Sequence, residues 1–355
     1  PAPSPPPTDA GPAGPSTTGA ASPGTAPAVG KDQLLASLKG LLPPGKVSQE
    51  EASGTDGGAR ALPPHADVVL DDGHGAAVIS IGFTRYAPGG GTDFAACPDA
   101  TLVPVDACTA STLADGSTLV LLQGYEYPDR HVPTKRWDAM LLHPDGGLVT
   151  LTEWNAPAEK DAAVTRDEPP LTLAQLTAVV GDPKAWDPVL AGLPAPAPVT
   201  EQRLGMTRQE MITVLPTLLP AGLSTAGADG QDGYTHLTVD DGKGASLVEV
   251  NADDLGRRDA DPQALLGPGD VSVLPDGSHL VVNRNADSGG KGGSGIVRWT
   301  VAVVRPDGTR VVVAATNSAA ARLNATRATP ALTVEQMQAI ATSPAWHLHP
   351  ITSTH

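Results

Sequence analysis

An α+β fold built in two tandem copies, each a helix, a five-stranded antiparallel sheet and a closing helix, is what the sequence predicts. Three observations predict it. Long segments recur: "VLDDGHGAAVISI", Val69 to Ile81, returns as "TVDDGKGASLVEV", Thr238 to Val250, and "RWDAMLLHPDGGLVTLTEWNA" returns as "RWTVAVVRPDGTRVVVAATNS". Inside these segments apolar residues alternate with a period of two, the mark of half-buried strands. Segments with helical spacing and capping residues bracket each recurrence. A chain of 355 residues has room for about two domains at roughly 150 residues each, which places the copies at residues 31–192 and 200–350 with "AGLPAPAPVT" between them.

The elements follow in order. Residues 1–30, rich in Pro, Gly, Ser and Thr, offer almost nothing to bury and read as a disordered, partly polyproline tether. The opening helices, "KDQLLASLKGLLPPG" and "MTRQEMITVLPTLLPAG", both end at Leu-Leu-Pro-x-Gly, where Pro and Gly stop a helix. Thr207 and Glu210 form a capping-box pattern in the second. A hairpin then turns at Asp-Asp-Gly-x-Gly, Asp71 to Gly75 and Asp240 to Gly244, residues suited to tight-turn geometry, so the Asp pair is read as turn chemistry before metal chemistry. A third strand follows Leu113–Ser117 and Leu274–Ser278, and a second hairpin turns at Pro-Asp-Gly with Trp137, Ala139 and Leu141 on one face, like Trp299, Val301 and Val303. Closing helices carry capping boxes at Thr172/Gln175 and Thr333/Gln336, end at Pro183 and Pro344, and bring Trp186 and Trp346 to seal helix against sheet.

Composition narrows the function. A net charge of -16 repels phosphate backbones and anionic lipid surfaces, so nucleic acid is not an expected partner. Cys97 and Cys108 are the two cysteines, in "ACPDATLVPVDAC", with no clustered His to make a metal site, and a local disulfide in an oxidising, extracytoplasmic compartment is expected. No apolar run is long enough for a membrane helix. Membrane attachment is therefore expected only through an anchor upstream of Pro1, whether lipoprotein signal, cleaved signal or membrane helix.

Enzyme signatures are poor. No Gly-x-Ser-x-Gly elbow appears, and "GGKGGSG" lacks the Lys-Ser/Thr ending of a phosphate cradle. His347 and His349 read as a solvated tail rather than a zinc site. No catalytic residue, metal or cofactor is expected.

The copies differ unevenly, and the differences locate the candidate site. Phe83, Tyr86, Phe94, Tyr125, Tyr127, Trp137, Trp154 and Trp186 lie in the first copy, against Tyr234, Trp299 and Trp346 in the second. The surplus gathers in "QGYEYPDRHVPTKR", replaced in the second copy by "NRNADSGGKGGSGIVR", and in "TEWNAPAEKDAAVTRDEPP". Tyr125, Tyr127 and Arg130 are residue types in which binding energy concentrates, though a rim loop of locally packed tyrosines fits the pattern equally. Glu153 falls on the core-facing row of its strand and needs a partner, for which Arg136 or Arg166 is available; Trp154 takes the place of Thr316 and is not required by the scaffold. Asn155 has its equal in Asn317, which favours a structural turn.

Leu-Leu-Pro-Pro-Gly, Gly-Tyr-Glu-Tyr-Pro-Asp-Arg and "EWNAPAEKDA" followed by "EPPLTLAQLT" resemble a group of exported or membrane-anchored tandem-domain proteins of high-GC actinobacteria, over most of residues 31–346. The resemblance implies an envelope location and supplies no site residues. The function expected is a non-enzymatic extracytoplasmic module binding an envelope ligand or protein through Tyr125, Tyr127, Arg130, Glu153 and Trp154. The alternatives are an envelope hydrolase or transferase, which needs Glu153 with His131 or Asp129 in one cleft, and a structural spacer.

Overall fold

The computed structural model describes residues 27–57, 62–194, 196, 200–256, 265–266, 269–284 and 294–354. Residues 1–26 of the expected tether and 285–293 of the expected second-copy loop lie outside them. The described chain is mostly β, which corrects the predicted α+β class: it forms two seven-stranded antiparallel sheets and a two-stranded ribbon with five short helices, not two helix-sheet-helix units of five strands each.

The first sheet contains β1 (Lys46–Ser53), β2 (His65–Asp71), β3 (Ala76–Arg85), β4 (Ala107–Thr112), β5 (Thr118–Tyr125), β6 (Lys135–Leu142) and β7 (Gly147–Trp154), in the spatial order β1-β2-β3-β7-β6-β5-β4. The second contains β9 (Ser224–Gln231), β10 (Tyr234–Asp240), β11 (Ala245–Asp254), β12 (Val271–Val273), β13 (His279–Asn283), β14 (Arg298–Val304) and β15 (Thr309–Thr316), in the order β9-β10-β11-β15-β14-β13-β12. The strands that the periodicity misses are the outermost ones, β1, β4, β9 and β12. Their sequences, KVSQEEAS, ACTAST, STAGADGQ and VSV, are largely exposed, so backbone pairing holds them without any apolar alternation to announce them.

The tail is also corrected. His349–Thr354 is not a solvated end but strand β16, paired with β8 (Thr200–Gly205), and the His349 ring lies 2.9 Å from Glu210 Oε1.

Helices cover one face of each sheet. Under the first lie α1 (Lys31–Leu41), α2 (Leu173–Val180) and α3 (Pro183–Ala191), which bring Leu34, Leu38, Leu176, Val179 and Trp186 onto Val68, Ile79, Ile81, Val149 and Leu151. Pro183 ends one helix and also opens the next, capped by the Asp182 side chain, a start that sequence reading took only as a stop. Under the second lie α4 (Arg208–Leu218) and α5 (Val334–Ala341), with Met211, Leu215, Met337 and Ile340 on Leu237, Val250, Val301 and Val313. Trp186 and Trp346 are buried and donate their indole N–H to the Val179 and Ile340 carbonyls at 2.5 and 2.8 Å.

The ladder at the centre of each sheet pairs strands distant in sequence, β3 with β7 and β11 with β15. An arginine ties each junction. Asp71 and Asp240 accept from the Gly73 and Gly242 amides, ordinary turn bonds. Their neighbours reach further: Asp72 takes both ends of the Arg166 guanidinium, at 2.8 and 3.2 Å, and Asp241 takes Arg327 at 2.6 and 3.2 Å. Gly75 and Gly244 have positive φ, and a Cβ there would meet the Thr165 and Thr326 carbonyl oxygens at 2.4 and 2.7 Å. Glycine is thus required for both reasons.

Candidate functional site

The β5–β6 loop rises from the end of the first sheet beside β4 and is closed by the Glu126 amide donating to the Thr134 carbonyl at 2.9 Å. Arg130 adopts φ +58, with its amide on the Tyr127 carbonyl, which makes the turn at the loop tip. Its guanidinium lies 4.7 Å from the Tyr125 ring centroid and pairs with Asp106, the residue before β4. Tyr127 meets the His131 ring edge-on at 4.6 Å, and His131 Nδ1 lies 2.5 Å from Asp129 Oδ1. Tyr125, Tyr127 and Arg130 therefore share one half-exposed loop surface.

Behind the loop is a packed ionic group on the sheet face away from the helices. Trp154, buried, donates its indole N–H to Glu126 Oε2 at 3.0 Å, and Arg136, its cross-strand partner, lies 5.8 Å from its ring. Arg136 donates to Asp138 at 3.0 and 3.2 Å, Thr152 donates to the same carboxylate at 2.6 Å, and Lys160 comes within 3.8 Å of Glu126. Burial works against the Arg136 charge, but Asp138 and Glu126 outweigh it and hold its pKa above the ordinary value. Trp154 is thus a support for Glu126, the first residue of the loop, rather than an open contact platform.

Glu153 points the other way. Strand alternation sets it under the helices with Leu151 and Val149, opposite Trp137 on β6. It is fully buried, its Oε2 accepts from the Leu171 amide at 2.9 Å, and its Oε1 has no hydrogen bond. Burial pushes the carboxyl well above its ordinary 4.5, against the pull of the Leu171 amide and the Arg166 charge. The expected ion pair does not form, because Arg136 lies on the opposite face with Asp138 and Arg166 is held by Asp72. A fully buried Glu153 lines no open cleft with the Asp129–His131 pair, so the acid–base constellation needed for hydrolysis is not assembled from these residues.

Asn155 behaves as a turn residue. Its side chain accepts from the Lys135 amide at 2.8 Å and donates to the Arg166 carbonyl at 3.1 Å, as Asn317 does with Val297 and Arg327 at 2.7 and 2.8 Å.

Cys97 and Cys108 form a disulfide. The loop it closes does more than cover the surface. Asp99 splits its carboxylate between the Thr101 amide at 2.7 Å and Nε2 of His236 at 3.1 Å, and the Thr101 carbonyl accepts from the Ala321 amide at 3.0 Å. His236 is buried in the second sheet and its Nδ1 has no partner. Beside this contact is a cleft of about 780 Å³ lined by Asp93, Cys97, Asp99, Arg203, Arg208 and Asp232. Sequence reading missed it; the available signal was His236 on the polar side of an alternating strand.

Among the described residues no helix is long and apolar enough to cross a membrane. No family model and no curated protein matches the chain. Among solved structures it is similar to MucB in complex with MucA(peri), at 13% identity over 81% of this chain and 83% of that one with a TM-score of 0.16. It is also similar to the di-domain ARO/CYC StfQ from the steffimycin biosynthetic pathway, at 8% identity over 82% of each chain with a TM-score of 0.12. Likenesses at these scores carry neither fold nor function over to this chain.

Proposed function

We propose that the protein is an extracytoplasmic binding module of the cell envelope, without catalytic activity, whose β5–β6 loop contacts the ligand or protein partner through Tyr125, Tyr127 and Arg130. The observation that carries this reading is the preset loop surface: Arg130 fixed over Tyr125 and against Asp106, with Tyr127 braced by His131. Side chains already held in place lose little freedom on binding. Trp154 holds the loop base through Glu126, and Glu153 is part of the core beneath α2. The disulfide supports an oxidising compartment.

The reading takes residues 31–192 and 200–350 as related units. It is supported by their matching strand order, the Asp72–Arg166 and Asp241–Arg327 clamps and the paired capping boxes. The second unit is then scaffold.

The test is a thermal-shift screen of the full chain against peptides, cell-wall fragments, lipids and divalent metals, since a compound that binds only the native state raises the melting temperature. One class should shift the native chain, and Tyr125→Ala with Tyr127→Ala should abolish the shift without changing the unliganded melt. An equal shift in that variant, or none with any class, overturns the reading.

A further inference from the structure

Four strands form the outer edges of the two sheets, and three are protected against pairing with another chain. β1 carries Lys46, Glu50 and Glu51 and a register shift between Ser48 and Glu51. β9 is broken by a register shift opposite His236–Thr238, and Thr101 of the disulfide loop sits where a Cβ on Gly227 would lie, 2.9 Å away. β12 is three residues long. β4 has none of these devices: ACTAST contains no charge and no proline, keeps unbroken register with β5 from Ala107↔Gln123 to Thr112↔Thr118, and is exposed along nearly its whole length.

Its free hydrogen-bonding groups can be assigned. The Leu113 amide donates to the Ser117 carbonyl at 2.8 Å, which makes that pair a hydrogen-bonded one. Antiparallel ladders alternate, so Ser111, Thr109 and Ala107 bond inward to β5, and the N–H and C=O groups of Cys108, Ala110 and Thr112 point outward. The ends of this edge are marked. Asp106, in contact with Arg130 and hence Tyr125, precedes it; Leu113, exposed, and Asp115, in the turn, follow it.

We infer that β4 is a β-augmentation edge: an extended, net-basic peptide segment of a partner protein adds to it as an eighth strand, with one end against the Tyr125–Arg130 loop and the other near Leu113 and Asp115. The inference rests on the proposed binding role of that loop and names the kind of partner it takes. Backbone bonds to Cys108, Ala110 and Thr112 give affinity, while the loop and Leu113 select side chains. The basic character follows from charge. A chain at -16 repels a second copy of itself and attracts a cationic segment, and of the acids that flank the uncharged strand Asp115 lies at the Leu113 end while Asp106 is paired with Arg130.

The probe is acetyl-Lys-Thr-Val-Thr-Val-Thr-Val-Lys-amide, with a twin N-methylated at alternate amides so that one edge donates nothing. Binding to the full chain is followed by amide chemical shifts and titration. The native peptide should perturb Cys108, Ala110, Thr112 and the 125–130 loop. The twin, and the variant Ala110→Pro, should bind about tenfold or more weakly, the factor for one lost backbone hydrogen bond. Proline is tolerated at this position because its missing N–H faces solvent, and an unchanged melting temperature verifies the fold.

Equal binding of peptide and twin overturns the edge, as does no binding of the peptide. If the twin binds equally while Tyr125→Ala loses binding, the loop reading survives without the edge. If Ala110→Pro loses binding while Tyr125→Ala and Tyr127→Ala do not, the edge survives and the loop reading falls. A concentration-dependent dimer abolished by Ala110→Pro makes the occupant a second copy and overturns the peptide.

Discussion

Glu153 shows how one atom of context reverses a residue's meaning. At the end of an apolar row it reads as half of an ion pair, but its carboxyl is met by a single backbone amide and otherwise by core. With its pKa raised by burial, its neutral form belongs to the fold and its charged form does not. The folded value lies above the unfolded one, so its contribution is complete below the ordinary 4.5 and is lost as pH rises through the folded value. Glu153→Gln keeps an acceptor for Leu171 and cannot ionise. Its melting temperature should fall less than that of the native chain as pH rises above the ordinary 4.5, measured by calorimetry; parallel curves would show that burial does not raise the Glu153 carboxyl. Asp72 carries the opposite lesson. Turn chemistry was legible in Asp-Asp-Gly-x-Gly, but its capture of Arg166, distant in sequence, was not, because nothing local in either segment demands it.

At the scale of elements, legibility followed burial. Strands β2, β3, β6 and β7 announce themselves in Val68, Ile79, Leu141 and Leu151 because one face must meet helices. β1 and β4 answer only to hydrogen bonding, which every residue but proline supplies, so ACTAST carries no pattern to read. The candidate loop was legible from composition, through Tyr125, Tyr127 and Arg130; the face each side chain takes at β7 was legible from alternation, yet the solvent status of Trp154 was not. The disulfide loop gives an element-scale prediction. Cys97→Ser with Cys108→Ser should lower stability by about 2–3 kcal/mol, the loop-closure value for a link this short in sequence, read by denaturant unfolding. It should also speed hydrogen exchange at the Ala321 amide, which donates into that loop, more than at Val313 in the central ladder. Equal protection at Ala321 would mean that the loop holds its shape without the bond.

For the whole molecule, the Asp99–His236 contact couples the two sheets, one carboxylate capping a turn in the first and meeting a buried ring in the second. Asp99→Ala leaves both His236 nitrogens without a hydrogen-bonding side chain, at a cost of about 1–3 kcal/mol. Calorimetry of that variant beside the native chain should show the unfolding of the second sheet shift to lower temperature relative to that of the first; an unchanged profile would place the coupling elsewhere. The strand order itself bears on how such a chain is born. β3 pairs first with its sequence neighbour β2, but its other edge waits for β7, and the intervening β4, β5 and β6 assemble on the far side of that seam. A chain emerging N-terminus first thus presents β1-β2-β3 as an unfinished sheet, covered on its apolar face only by α1, until Gly147–Trp154 arrives and Arg166 locks onto Asp72. The same wait repeats between β11 and β15. Each half thus has one such window in which a strand edge is open to the wrong neighbour, and protection during synthesis matters most there.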